Sequence, residues 1–190
     1  MSCNDSLTND WLRSDCAALY QELASATRVT KRARLLRLAL TQCRRRRHHG
    51  NCDLYLEFGV HEGKDLARMA SYLATLDKSA IFHGFDSFQG LPEDWDNGQL
   101  DPATGQLLHQ QGAFSVDGQC PQLDQVPLDL GKRNPAASGN IELHTGWFHA
   151  TVAPFLDQQL AAAAADSNSV AFVHADADLY SYHYLFKGLV

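Results

Sequence analysis

The stretch LYLEFGVHEGKDLARMASYLATL, residues 54–76, decides the fold. LYLEFGV is a short apolar run that reaches a glycine at Gly59, as expected of a strand buried on both faces. Downstream, Leu66, Met69, Ala70 and Leu73 recur at helical spacing, so one face of the next segment is apolar. Strand, tight turn and helix are therefore predicted in that order.

The same pattern recurs outward from this unit. AIFHGF (80–85) ends at Asp86, NIELHTG (140–146) leads into WFHATVAPFLDQQLAAAAA, and VAFVHAD (170–176) ends at Asp176. Strands that alternate with helices at this interval imply right-handed crossovers and a parallel sheet, so an α/β, Rossmann-like fold is expected. Upstream, Leu12, Cys16, Leu19 and Leu23, then Leu36, Leu40 and Cys43, mark two amphipathic helices, with Gly50-Asn51 closing the second. The expected organisation is a helical segment over 1–50 and a sheet domain over 51–190. Residues 92–139, which hold most of the prolines, form an irregular loop or lid within the domain. Four strands precede Val190, fewer than a doubly wound sheet is expected to have, so the domain reads as truncated after the fourth strand, either a fragment of a longer enzyme or an interrupted gene product without a complete metal site.

Composition bounds the function. No run approaches the roughly 20 apolar residues of a membrane helix, and the first residues do not resemble a signal peptide. A cytoplasmic protein without membrane contact is expected. The five scattered cysteines form no zinc-type spacing and read as reduced thiols. Residues 1–47 carry 10 Lys and Arg against four acids, so with a net charge of −6 the remainder is −12 and would repel nucleic acid. The run Arg44 to His49 reads as a solvated helix end. Both a monomer and a homo-oligomer are compatible with this composition.

In open parallel sheets ligands bind beyond the carboxyl ends of the strands, and the polar residues fall there: Glu57-Phe58-Gly59, Asp86-Ser87, Gly146-Trp147 and Asp176. Gly59 and Gly63 permit close ligand approach at the first turn, or tight packing of helix on strand. The segment is not GxGxxG, and Glu57 would repel a pyrophosphate but suit a cationic ligand such as S-adenosylmethionine. Asp86, 27 residues after Gly59, suits a pair of ribose hydroxyls, the alternative being a turn aspartate. Asp176 and Asp178 present carboxylates that suit Mg²⁺, Asp176 foremost, with capping of the next helix the alternative for Asp178, whereas His174 reads as a satisfied core histidine.

Together YLEFGVHEGKD, GFDSFQGLPEDW, GWFHATVAPFL and VHADADLYSY resemble the macrocin O-methyltransferase family of class I S-adenosylmethionine-dependent enzymes, over roughly residues 53–186. The resemblance implies methyl transfer to a hydroxyl of a small molecule, a sugar or natural product, assisted by Mg²⁺. It places Glu57, Gly59 and Gly63 around the methionine part of the cofactor, Asp86 and Ser87 at the ribose, and Gly146, Trp147 and Phe148 near the adenine, with Phe58 and Val60 also expected to bind the cofactor. Asp176 matches the family's first metal-binding aspartate and is the expected catalytic residue; its further metal-binding acids lie on a later strand. His149 is weighed as a base against a surface role. The rival expectation is a noncatalytic chain that keeps a partial nucleoside site. An NAD-binding oxidoreductase is disfavoured by the missing GxGxxG.

Overall fold

A computed structural model of the chain describes residues 28–45, 52–123, 127–128, 132–133, 140–162 and 168–178. The elements in order are α1 (Arg28–Arg45), β1 (Cys52–Phe58), α2 (Lys64–Leu76), β2 (Phe82–Asp86), β3 (Trp95–Leu100), β4 (Leu107–His109), β5 (Pro127–Leu128), β6 (Lys132–Arg133), β7 (Ile141–Thr145), α3 (Phe148–Ala162) and β8 (Asn168–Ala175). The helix expected around residues 12–23, the close at Gly50-Asn51 and everything after Asp178 lie outside the described residues.

The four expected strands form one sheet in the order β7-β2-β1-β8, all parallel. Alternation along β1 sends Leu54, Leu56 and Phe58 to one face and Tyr55 to the other. The first face packs on α3 through Phe148, Val152 and Phe155, with Phe58 stacked on Phe85. The second packs on α1 and α2 through Leu36, Leu40, Leu66, Met69 and Leu73. Burying each such side chain contributes about 1.5–3 kcal/mol, so both faces hold the sheet.

The segment expected to be irregular contains two short antiparallel pairs instead, β3 with β4 and β5 with β6. The turn between β3 and β4 explains the first: Asp101 Oδ1 accepts the amides of Ala103 and Thr104, and Gly105 takes a positive φ. Leu100 and Leu108 are exposed while Trp95 and Leu107 are half-buried, so the buried-strand pattern is missing from their sequence. No helix among the described residues is long and apolar enough to cross a membrane.

Candidate functional site

Sequence order along the sheet reverses between β1 and β8: β2 and β7 extend the sheet on one side of β1, and α3 returns the chain to the other. Such a reversal leaves a crevice at the carboxyl ends of the strands. A cavity of about 680 Å³ occupies it here, lined at its base by Glu57, Gly59, Asp86 and Asp176 and walled by Leu91, Pro92, Phe114 and Trp147. That volume suits a nucleoside-sized ligand.

The floor depends on Gly59. Its φ is +87°, and a Cβ there would stand 2.4 Å from the carbonyl oxygen of Asp176. A side chain is excluded both by the backbone conformation and by the neighbouring strand. The turn is pinned to both neighbours, because Gly59 N donates to Phe85 O and Asp176 N donates to Phe58 O.

Glu57 lies beneath this turn, 2% exposed. Its Oε1 is hydrogen-bonded to His174 Nδ1 at 2.8 Å, while Oε2 is buried without a hydrogen-bond partner. Burial pushes the Glu57 carboxyl up to about 7, against the opposing pull of His174. Burial also pulls the His174 imidazole down, but the hydrogen bond to Glu57 and that residue's charge outweigh it, so His174 is raised overall. His174 is a satisfied histidine, as its sequence position suggests, and its partner is the acid of the site.

Asp86 organises the second strand end. Oδ2 accepts the amides of Val60 and His61, each at 2.7 Å, and Oδ1 accepts the amide of Phe88 at 2.7 Å. The carboxylate thus ties β2 to the glycine turn after β1, and about one of its four lone-pair directions stays open. The turn-aspartate role is therefore present alongside the ligand role expected from sequence. Ser87 is buried next to it on the cavity wall, where its Oγ accepts the amide of Gln89.

Asp176 reaches the cavity from β8 and is bound by a cation of the chain itself. Arg32 of α1 places its NH2 group 2.6 Å from Asp176 Oδ2 and its Nε 2.7 Å from Asp65 Oδ2 on α2. One guanidinium bridges two helices and a strand tip at the cavity rim. Asp178 also lines the cavity, and its carboxyl is raised by burial and by the nearby Asp176 charge. Among the described residues, the only group of three or more metal-type ligands is His83, Glu142 and His144, well away from Asp176.

Of the residues expected from sequence, Glu57, Gly59, Val60, Asp86, Ser87, Trp147, Phe148 and Asp176 converge on this cavity. Three do not line it. Phe58 is fully buried against Phe85 and Phe148, because strand alternation turns it away from Glu57. Gly63 faces Leu123 and Pro121 as the residue preceding α2, and Gly146 faces Thr151. His149 is exposed at the start of α3 and lines a second, shallower cavity with Trp147 and Gln111. Sequence reasoning missed Arg32, Asp65, His61 and Phe114 at the main cavity. Their signal lies in long-range pairing, which spacing along the chain does not carry.

No family model matches the chain, and no curated protein matches it either. Among solved structures, the crystal structure of CalS11, a calicheamicin methyltransferase, aligns with a TM-score of 0.61 at 18% identity, covering 95% of this chain and 72% of that one. At this identity the likeness is one of architecture, and it shows that the chain has a Rossmann-like α/β fold of the kind found in a methyltransferase.

Proposed function

We propose that this protein is an S-adenosylmethionine-dependent O-methyltransferase acting on a hydroxyl of a small molecule. The observation that carries the reading is Glu57 Oε2, an unpartnered buried acceptor on a cavity at the sheet's switch point. An unsatisfied buried polar group costs about 1–3 kcal/mol, more if charged, so a ligand donor is its natural complement. A cationic donor gains most, and the ammonium of the methionine part of S-adenosylmethionine is one.

The remaining residues fit the same ligand. Gly59 leaves room against the backbone, the open lone pair of Asp86 suits a ribose hydroxyl, and Trp147 and Phe148 offer aromatic surface to an adenine. When bound, S-adenosylmethionine supplies a methyl group made electrophilic by its sulfonium. The chain's own contribution is to position and to exclude water: Glu57 anchors one end, and Leu91, Pro92 and Phe114 form an apolar wall on the acceptor side. The architectural likeness to a methyltransferase supports this reading. Mg²⁺ at Asp176 belongs to the same proposal, and a dication there has to displace Arg32.

The test is methyl transfer from labelled S-adenosylmethionine to a panel of hydroxylated small molecules, with and without Mg²⁺, beside calorimetry with S-adenosylhomocysteine. Binding with turnover is expected. Failure to bind the nucleoside overturns the reading. Binding without turnover supports a noncatalytic nucleoside-binding chain, which the Arg32–Asp176 pair across the rim favours.

A further inference from the structure

A second cluster sits on the opposite face of the sheet, outside the cavity. His83 of β2 and Glu142 of β7 are directly paired across the two strands, and His144 follows Glu142 by two residues, so all three side chains share the face that packs on α3. His83 Nδ1 lies 3.2 Å from His144 Nε2 and 3.4 Å from Glu142 Oε2. Four ligands held about 2.0–2.1 Å from a tetrahedral centre stand about 3.3–3.4 Å from one another. The two separations from His83 lie close to that edge length, and all three ligand atoms fall within 4.8 Å of one another.

The surroundings fit a bound ion as well. Phe155 of α3 has its ring centroid 4.7 Å from each imidazole, and Phe85 stacks on His144 at 4.5 Å, so packing holds both rings in orientation. The His83 side chain is 7% exposed but that of Glu142 is 55% exposed, which leaves the cluster open to solvent on the β7 side. Two imidazoles and one carboxylate are a donor set that selects a transition-metal dication over Mg²⁺ or Ca²⁺.

We infer that His83, Glu142 and His144 form a binding site for a Zn²⁺-class dication, with a fourth position facing solvent. Bound there, the ion rivets the sheet-edge strand β7 to β2, independently of what the cavity holds.

The test uses the full chain without affinity-tag histidines, stripped with chelator and titrated with Co²⁺ as a spectroscopic probe, then with competing Zn²⁺. The expected result is one equivalent of Co²⁺ with the intense visible absorption of a four-coordinate site, displaced by Zn²⁺. Glu142→Gln removes an exposed ligand without disturbing the core and weakens Co²⁺ binding at least about tenfold. His144→Gln does the same, whereas Asp176→Asn leaves binding unchanged. Absence of a saturable band, a weak octahedral spectrum, or a band insensitive to Glu142→Gln overturns the proposal. Loss of the band in Asp176→Asn overturns it too, by moving the ion to the other face.

Discussion

His174 Nδ1 stands 2.8 Å from Glu57 Oε1 at directly paired positions of β8 and β1, so the acid of the cavity and its partner are held by sheet register. Burial raises the Glu57 carboxyl to about 7, from an ordinary value of 4.5. Within that window the folded chain holds more protons than the unfolded one, so stability falls as pH rises. The raised His174 has the same sign: its contribution is present below its ordinary value and lost as pH climbs through its folded one. Glu57→Gln should flatten this decline, as read by urea unfolding at several pH values between about 5 and about 8. An unchanged slope in the variant would assign the pH dependence elsewhere.

Ligand binding follows the ionised form of the same group. Affinity for S-adenosylmethionine should climb as pH approaches about 7 and decline again as the ligand amine loses its proton near about 8. Glu57→Gln should weaken binding by about tenfold to a hundredfold and remove the acid limb of the profile, measured by calorimetry.

Gly59→Ala combines a positive φ with a Cβ placed 2.4 Å from the Asp176 carbonyl. We expect a loss of about 1–3 kcal/mol in chemical denaturation, together with weaker nucleoside binding, because the β1 and β8 tips have to separate. A variant as stable as the parent would show that the turn tolerates a side chain.

Asp86→Asn keeps the shape but replaces one accepting oxygen by an amide nitrogen. With three backbone amides converging on the carboxylate, the expected cost is about 1.5–3 kcal/mol. Hydrogen exchange gives the sharper readout: amide protection should drop at Val60, His61 and Phe88 and persist in the middle of β1.

Arg32→Ala should behave differently. The Arg32 and Asp176 side chains are 49% and 47% exposed, so that ion pair is worth about 0–1 kcal/mol, and Asp65, 18% exposed, keeps Arg68 at 3.0 Å when Arg32 is removed. Thermal stability should barely move, while association of S-adenosylhomocysteine accelerates as the rim opens.

β1 and β2 were legible because strands buried on both faces write continuous apolar runs, while the half-buried outer strands β7 and β8 were legible mainly from the polar or glycine residue at which each of the four ends. Glu57, Asp86 and Asp176 could be placed in one crevice on that ground alone. The β3–β4 pair was not legible, since its strands are exposed and lack the apolar run. Phe58, which the resemblance puts at the cofactor, is turned by alternation onto the other face. The Arg32 bridge and the His83–Glu142–His144 cluster depend on which helix crosses the rim and on cross-strand register, which one chain's spacing does not encode.

Trp147 borders the larger cavity, whereas Trp95 stacks on His109 in the β3–β4 hairpin. An indole at the cavity wall responds to a neighbouring stacked ring by a change in its emission. Binding of the proposed nucleoside should therefore change the intrinsic fluorescence without a label, and Trp147→Phe should remove that change while leaving the emission of Trp11 and Trp95.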